Sequence, residues 1–247
     1  MATTAKDPTH VTVKLAGRDE IAERTSSFRF EKPPGWTFKS GQTVDITLLD
    51  PPDTDAEGNT RTFSIASVPD DNTLMIATRM RDTAFKRTLG TMPLGTVVKI
   101  DGPFGNFVLH NNPAKTAVLL AGGIGITPFR SMVFRAANEK LPHRIFLFLA
   151  NRRPEDAAFL NELELLEKEN PNYKLIATMT GMEKSSRAWH GEKGYIDKEM
   201  LSRYVKDSPS PIYYIAGPPG MVAGLREMLK QAGVDEDDIR AEDFPGY

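Results

Sequence analysis

The segment Gly122-Gly-Ile-Gly125, with Thr127 and Pro128 after it, has the residue types of a phosphate-binding turn. Glycine has no Cβ, so Gly122, Gly123 and Gly125 can adopt positive φ and let a ligand lie against the backbone. Thr127 suits a helix N-cap, and Pro128 suits the first helical position, where no N–H is needed. A helix beginning here presents free N–H groups and its positive dipole end to the turn. We therefore predict a pyrophosphate site.

A second turn of the same design is Gly217-Pro-Pro-Gly-Met221, which follows an apolar run over 211–216. Loops at the carboxyl ends of neighbouring parallel strands face one crevice, so two such turns would address one ligand. The first turn matches only half of the dinucleotide fingerprint, because Pro128 stands where the third glycine would fall. A glycine turn that merely joins a strand to a helix remains the alternative.

The first part of the chain consists of short apolar–polar alternating stretches separated by Gly, Pro and Asp turns, which is typical of an antiparallel β-barrel or sandwich. The predicted strands are 10–15, 26–31, 42–49, 61–67, 73–79 and 96–101, with a surface loop at 50–60 and a helix at 83–89.

Beyond Pro113 the period changes to apolar strands alternating with amphipathic helices. The predicted strands are 117–121, 144–150, 173–179 and 211–216, and the predicted helices are 157–169, 196–205 and a last one ending near 230. This alternation favours a doubly wound parallel α/β domain. The chain should therefore have two domains, 1–112 and 113–247.

The composition excludes several classes of protein. The 247 residues carry a net charge of −2, which gives no reason to expect nucleic acid as a partner. There is no cysteine, so disulfides and cysteine-ligated clusters are excluded and redox chemistry would need a bound organic cofactor. The four histidines have no metal-ligand spacing, so we expect no metal site. Without an apolar run of ~20 residues or a signal-peptide core, we expect a cytoplasmic protein with no membrane span.

Five motifs follow one another along the chain: Arg61-Thr-Phe-Ser64, Gly102-Pro-Phe-Gly105, the turn from Gly122 to Pro128, Gly217-Pro-Pro-Gly-Met221 and Glu242. In type and order they resemble the motifs of the ferredoxin–NADP reductase superfamily. The resemblance covers essentially the whole chain. It implies a flavin held by the barrel, a nicotinamide dinucleotide on the α/β domain, a C-terminal tail at the flavin, and hydride transfer to flavin N5.

Each implied flavin role also has a physical basis. Arg61 is the residue type that forks onto a phosphate. Phe63 stands where the family stacks an aromatic on the isoalloxazine, although an alternating aromatic is also typical of a core. Ser64 matches the serine near N5, and Thr83 begins the segment that holds the pyrophosphate, for which a plain amphipathic turn is the alternative. The implied flavin-binding residues are Arg61, Thr62, Phe63, Ser64, Ala77, Thr78, Arg79, Thr83, Ala84 and Phe244.

The implied catalytic residues are Ser64, Thr127 and Glu242, the last two beside the nicotinamide. The implied dinucleotide-binding residues are Gly122, Gly123, Gly125, Ile126, Thr127, Pro128, Arg152, Thr180, Gly217, Pro218 and Met221. Ala216 replaces a cysteine found in many members, which leaves open how closely the nicotinamide stacks. Phe244 or Tyr247 either covers the flavin face or belongs to a frayed tail.

The identity of the coenzymes rests on fewer residues of the sequence. Arg152 and Arg153 after the second parallel strand, with Lys184 and Arg187 after the third, favour NADPH, with NADH as the alternative. FAD is preferred over FMN because it is commoner in the resembling branches. The expected partner is a separate redox acceptor, such as a small iron–sulfur or flavin protein. Two other functions stay open, a non-catalytic flavin-binding sensor or electron-transfer subunit of a larger complex, and a plain NAD(P)-dependent dehydrogenase.

Overall fold

The computed structural model describes residues 10–245, which fold as one antiparallel and one parallel six-stranded sheet. The predicted fold class is confirmed. The first half contains β1 (His10–Ala22), β2 (Thr25–Glu31), β3 (Thr43–Leu48), β4 (Thr60–Ser64), β5 (Thr73–Arg79), α1 (Ala84–Thr91) and β6 (Val97–Phe104). The second half contains β7 (Ala117–Gly122), α2 (Ile126–Asn138), β8 (Ile145–Asn151), α3 (Leu160–Glu169), β9 (Tyr173–Met179), β10 (Glu192–Lys193), α4 (Lys198–Val205), β11 (Ile212–Gly217), α5 (Pro219–Gln231) and β12 (Ile239–Asp243).

The antiparallel sheet has the strand order β4-β3-β6-β1-β2-β5. Alternate residues face its interior, as on β3, where Val44, Ile46 and Leu48 are buried and the residues between them are not. The two edge strands approach each other just beyond β4, where Ala66 N donates to Met75 O at 2.7 Å. The sheet therefore curls towards the barrel that the alternation predicts.

The parallel sheet has the order β10-β9-β8-β7-β11-β12. Its central strands β7, β8 and β11 are buried almost throughout, as expected for strands covered by helices on both faces. Helices α2 and α3 share one hydrophobic core with one face of the sheet, and α4 and α5 share another core with the opposite face. The chain order reverses between β7 and β11, so the topological switch point lies where both glycine turns emerge.

The two halves pack directly on each other. Ala66, Met75 and Ala77 from the barrel belong to the same buried cluster as Phe129 of α2. Polar contacts surround this cluster, since Arg130 Nη1 donates to Ala66 O at 2.6 Å and Ser131 Oγ donates to Ser67 O at 2.5 Å. The proposed domain boundary between 112 and 113 falls in the segment between β6 and β7 and stays a prediction.

The start of α2 differs from the predicted one. A 3-10 turn over Gly123–Gly125 leads directly into α2 at Ile126, so Gly125 occupies the cap position and Thr127 is already helical. The prediction of Thr127 as N-cap was wrong. Its hydroxyl instead donates back to Ile124 O at 3.1 Å, inside the turn. The chain can tighten this early because Gly123 adopts φ of 53°, a left-handed value that glycine accepts readily.

Two further differences concern elements of the second half. Helix α3 begins at Leu160 rather than at 157, because Phe159 adopts φ of 64° and interrupts the helical run. Strand β12 was not predicted, and it adds a parallel edge strand beside β11. Within residues 10–245, no helix has the length and apolar character needed to cross a membrane.

Candidate active site between the two domains

A cavity of about 700 Å³ lies between the barrel and the parallel sheet, close to the switch point. It is lined by Thr43, Glu57, Arg61, Thr62, Phe63, Ser64, Ala77, Thr78, Arg79, Arg81, Thr83, Lys86, Ile124, Thr127, Glu242, Asp243, Phe244 and Pro245. Most of the residues expected to hold the flavin are among them, together with Thr127 and Glu242 from the nicotinamide side. A cavity of this size between two domains is large enough for a cofactor.

The barrel side of the cavity is formed by the ends of β4 and β5. Phe63 lies half-buried with its ring centroid 5.9 Å from that of Phe85, so one flank of the ring packs on the barrel core. Ser64 is 5% exposed at the end of β4, and Ala77 and Thr78 are buried on β5. Phe63 thus contributes to the barrel core and also lines the cavity, and its stacking on a flavin stays a prediction.

The cationic end of the cavity begins at Arg61, whose guanidinium is engaged by the loop between β3 and β4. Its Nη2 lies 3.2 Å from Asp55 Oδ1 and 2.8 Å from Glu57 Oε2. Its Nη1 donates to three backbone oxygens of the same loop, those of Glu57, Gly58 and Thr60. The Arg61 charge is therefore already paired with carboxylates of the chain itself.

The same carboxylate, Asp55, also occupies the start of α1. Ala84 N donates to Asp55 Oδ2 at 3.1 Å, while Lys86 N donates to the hydroxyl of the N-cap residue Thr83 at 3.3 Å. Despite burial, the backbone N–H groups of Ala84 and Glu57 and the Arg61 guanidinium hold the pKa of Asp55 below its ordinary value. The helix start expected to receive a pyrophosphate thus carries an internal anion, and Ala84 itself is buried rather than at the cavity wall.

Lys86 and Arg81 complete the cationic end. The Lys86 ammonium is half-buried and donates to Arg79 O at 2.7 Å, which is a neutral acceptor. Across residues 10–245, neither Lys86 nor Arg81 forms an ion pair with a carboxylate. Burial lowers the pKa of Lys86 to about 8, with Arg81 and Arg61 adding repulsion and Glu57 opposing it.

The opposite wall comes from the α/β domain. Thr127 is buried at the start of α2, next to Ile124. Glu242 lies on β12 directly beside Ala216, so it emerges at the carboxyl end of the sheet. Burial raises the pKa of Glu242 to about 7. Phe244 follows, half-buried, with its N–H donating to Gly217 O at 3.0 Å. Tyr247, the other candidate for covering the flavin, lies outside the described residues.

The glycines of the two turns pack on each other. A Cβ on Gly122 would lie 2.3 Å from Met221 Sδ and 2.9 Å from Pro218 Cδ, and one on Gly125 would lie 2.2 Å from Ala216 O. A Cβ on Gly217 would meet Gly122 at 3.1 Å. These glycines therefore allow close packing of the two turns, and this packing accounts for them without a ligand. Ile126 and Pro128 are buried and do not line the cavity.

A second cavity of about 800 Å³ adjoins the first, because Arg79 and Arg81 line both. Arg152 and Thr180, at the ends of β8 and β9, lie here. Arg153 is held by carboxylates from both domains, with Nη2 2.7 Å from Glu23 Oε2 and 2.9 Å from Asp156 Oδ1. Arg152 is exposed, and in the described part of the chain its side chain has no carboxylate partner.

Several cavity residues were not identified from the sequence, chiefly Lys86, Arg81, Asp55 and Glu57. A signal was present for two of them, because Arg79-Met-Arg-Asp-Thr-Ala-Phe-Lys86 concentrates basic residues around the start of a predicted helix. The acidic residues of the loop at 50–60 gave no comparable signal, since their contacts depend on how the loop folds back onto α1.

The fold and these two cavities define the class of two-domain oxidoreductases that bind dinucleotides. Comparison with known proteins agrees, since residues 119–227 match the family model of the oxidoreductase NAD-binding domain. A subunit of the Na(+)-translocating NADH-quinone reductase of Pseudoalteromonas atlantica is 30% identical over 186 residues, covering 74% of this chain and 44% of that protein. The chain spans half or less of the length of such curated relatives.

Solved structures resemble the whole fold. A cytochrome P450 reductase of Amycolatopsis superposes with a TM-score of 0.80 at 20% identity, covering 95% of this chain and 69% of that one. A ferredoxin NADP+ reductase from Neisseria gonorrhoeae, solved with bound FAD and NADP, gives a TM-score of 0.78 at 19% identity, covering 95% of this chain and 98% of that one. The chain therefore has the two-domain fold of these reductases, as its motifs suggest.

Proposed function

We propose that this protein is a flavin-dependent NAD(P)H oxidoreductase that passes electrons to a separate acceptor. The observation that carries the proposal is the cavity at the switch point, where Phe63 and Ser64 of the barrel face the same space as Thr127 and Glu242 of the α/β domain. A two-domain reductase needs such a meeting place, because the electron donor and the flavin bind to different domains.

The residues of the cavity fit a flavin nucleotide. Phe63 offers an aromatic wall for the isoalloxazine, and Lys86 and Arg81 offer positive charge without carboxylate partners in residues 10–245. When bound, a flavin accepts hydride at N5 and releases electrons singly or in pairs. FAD is our preferred form, supported by its presence in the structure from Neisseria gonorrhoeae, and FMN is the alternative.

The roles of the chain's own residues follow from their positions. The Ser64 hydroxyl would donate a hydrogen bond near flavin N5, and Thr127 would orient the nicotinamide. Glu242 would hold or release a proton beside the reacting rings, since burial raises its pKa to about 7 and lets both forms exist near neutral pH. The glycine turns would support this site by packing tightly rather than by contacting the ligand at every glycine.

The coenzyme is expected to extend from this cavity into the second one. Arg152 is the residue best able to meet a 2′-phosphate, because Arg153 is already paired with Glu23 and Asp156. This supports NADPH, whereas the names of the curated relatives contain NADH and support the alternative. The expected acceptor is a small iron–sulfur or flavin protein, and cytoplasmic location stays part of the proposal.

The test is an anaerobic visible spectrum of the purified protein incubated with FAD, before and after addition of NADPH or NADH. Bleaching of an oxidised-flavin spectrum is expected, and the faster nucleotide identifies the coenzyme. A protein that stays colourless after incubation with FAD and with FMN would refute the proposal. A bound flavin that neither nucleotide bleaches would refute the hydride-transfer step alone.

A second candidate is an electron-transfer component of a larger complex, which the curated relatives favour because they are named as subunits of a quinone reductase. The two functions differ in whether the chain turns over alone. Steady NAD(P)H oxidation by the isolated protein with ferricyanide would support the independent reductase. Flavin reduction without sustained turnover, together with isolation in a larger assembly from the native cell, would support the component of a complex.

A further inference from the structure

The cationic end of the first cavity contains Arg61, whose charge is already neutralised, and Lys86 and Arg81, whose charges are not. Arg61 has two carboxylates and three backbone oxygens on its guanidinium. Lys86 has a single neutral acceptor, Arg79 O at 2.7 Å. Both side chains line the cavity, so both face whatever binds there. An incoming phosphate would compete with Asp55 and Glu57 for the Arg61 guanidinium, whereas Lys86 offers two N–H groups that no described residue accepts.

The surroundings of Lys86 increase its attraction for an anion. Arg81 and Arg61 are the nearby charges of the same sign, and Glu57, the carboxylate facing it, is already paired with Arg61. A half-buried ammonium with no carboxylate at contact distance is unfavourable, because desolvation is not compensated by an opposite charge. An anion beside Lys86 and Arg81 would remove this cost.

We propose that Lys86, with Arg81 beside it, is the principal binding residue for the phosphate of the flavin, and that Arg61 contributes less to it. This inference rests on the proposed function, because it assumes that the cavity takes a flavin. It also gives the loop at 50–60, which the sequence predicts only as a surface loop, a role in the site. Asp55 and Glu57 hold Arg61 against the loop, and the free positive charge of the site is left on Lys86.

The lowered pKa of Lys86, about 8, gives the assignment a distinct pH signature. Only the protonated ammonium attracts phosphate, so binding has to supply a proton once the pH exceeds about 8. The affinity for a phosphorylated flavin should therefore fall about five- to tenfold between pH 7 and pH 9. An arginine stays protonated over this range, so binding governed by Arg61 alone would be flat.

The experiment measures dissociation constants of riboflavin, FMN and FAD by flavin fluorescence for the full chain and for Lys86→Met, Lys86→Arg and Arg61→Met. Riboflavin lacks phosphate and reports the isoalloxazine site alone. We expect Lys86→Met to weaken FMN and FAD about tenfold or more, to leave riboflavin within about twofold, and to abolish the pH dependence. Lys86→Arg should retain FMN affinity at pH 9, and Arg61→Met should lose less than Lys86→Met.

The outcomes separate this inference from the proposed function. Equal weakening of riboflavin and FMN by Lys86→Met, a larger loss with Arg61→Met, or a flat pH profile in the unmodified protein would each overturn the role of Lys86 while leaving flavin binding intact. Failure of the unmodified protein to bind any of the three flavins would overturn the proposed function and this inference together. The pH profile needs no variant, so it remains decisive if Lys86→Met does not fold.

Discussion

Glu242 should make the folded protein less stable as the pH rises, and replacing it by glutamine should remove this effect. Burial raises its pKa from an ordinary 4.5 to about 7. Between these values the folded state binds a proton that the unfolded state has released. The contribution of Glu242 to stability is therefore greatest below pH 4.5, declines through the window from 4.5 to about 7, and is fully lost above it.

The magnitude follows from the width of that window. Each pH unit corresponds to about 1.4 kcal/mol, so the window between 4.5 and about 7 corresponds to about 3.5 kcal/mol at most. Glu242 is half-buried, and solvent screening should reduce the effect to about 2 kcal/mol. Glutamine is neutral at every pH, so Glu242→Gln should stabilise the protein by this amount at pH 8 and by less than about 1 kcal/mol at pH 5.

Thermal unfolding at both pH values checks the prediction, with all samples at the same flavin content. A gain of about 2 kcal/mol corresponds to about 4–8 °C in Tm for a chain of this size. Asp243→Asn is the matched control, because it removes a neighbouring carboxylate that is exposed rather than half-buried. Equal shifts of Tm at pH 5 and pH 8 for Glu242→Gln would show that Glu242 is not desolvated as described.

Three further predictions concern packing, the domain interface and coenzyme choice. Gly125→Ala should destabilise the protein by about 3 kcal/mol or prevent soluble expression, because its Cβ would lie 2.2 Å from Ala216 O. The control Gly224→Ala lies on α5 with open space around it and should stabilise the protein by about 1 kcal/mol. Urea unfolding measures both changes. Arg130→Met should lower the stability by about 2–3 kcal/mol in the same assay, because it leaves Glu162 and Ala66 O without their donor. The control Arg135→Met breaks an exposed ion pair with Glu139 and should lower the stability by less than about 0.5 kcal/mol. In steady-state kinetics Arg152→Ala should raise KM for NADPH more than KM for NADH. Arg153→Ala should lower Tm, because it breaks the ion pairs with Glu23 and Asp156, and should not change KM for NADPH more than KM for NADH. Equal effects of Arg152→Ala on the two coenzymes would discard the 2′-phosphate role.

The strands and helices were largely predictable because their signals are local. Strands β5 and β9 have the predicted bounds, since alternation or a continuous apolar run is bounded there by polar turn residues. The start of α2 was not predictable in the same way. Thr127 and Pro128 have the composition of a helix start, but Gly123 lets the chain tighten earlier, and no residue in the sequence reports the resulting φ.

The candidate site was only partly predictable, because its charged side chains form ion pairs with residues in distant segments of the chain. Arg61 is recognisable from the motif around it, yet the residues that neutralise it lie in an irregular loop whose path depends on contacts with α1. Arg153 likewise looks equivalent to Arg152 in sequence. Only the approach of Glu23 from the barrel and Asp156 from its own domain distinguishes a structural arginine from one that is available to a ligand.

Glu242 shows most clearly how the fold creates chemistry that the sequence alone does not contain. The segment Ile239–Asp243 has little apolar pattern, but it pairs with β11 so that Glu242 lies beside Ala216, which in turn lies beside Ala121. Gly125 packs against the backbone of Ala216 at the end of the sheet, and the carboxyl group of Glu242 lines the cavity between the domains. Its burial, and therefore its raised pKa, results from this register, so a change in the packing of the turns should change the acid–base behaviour of Glu242 as well as the stability of the chain.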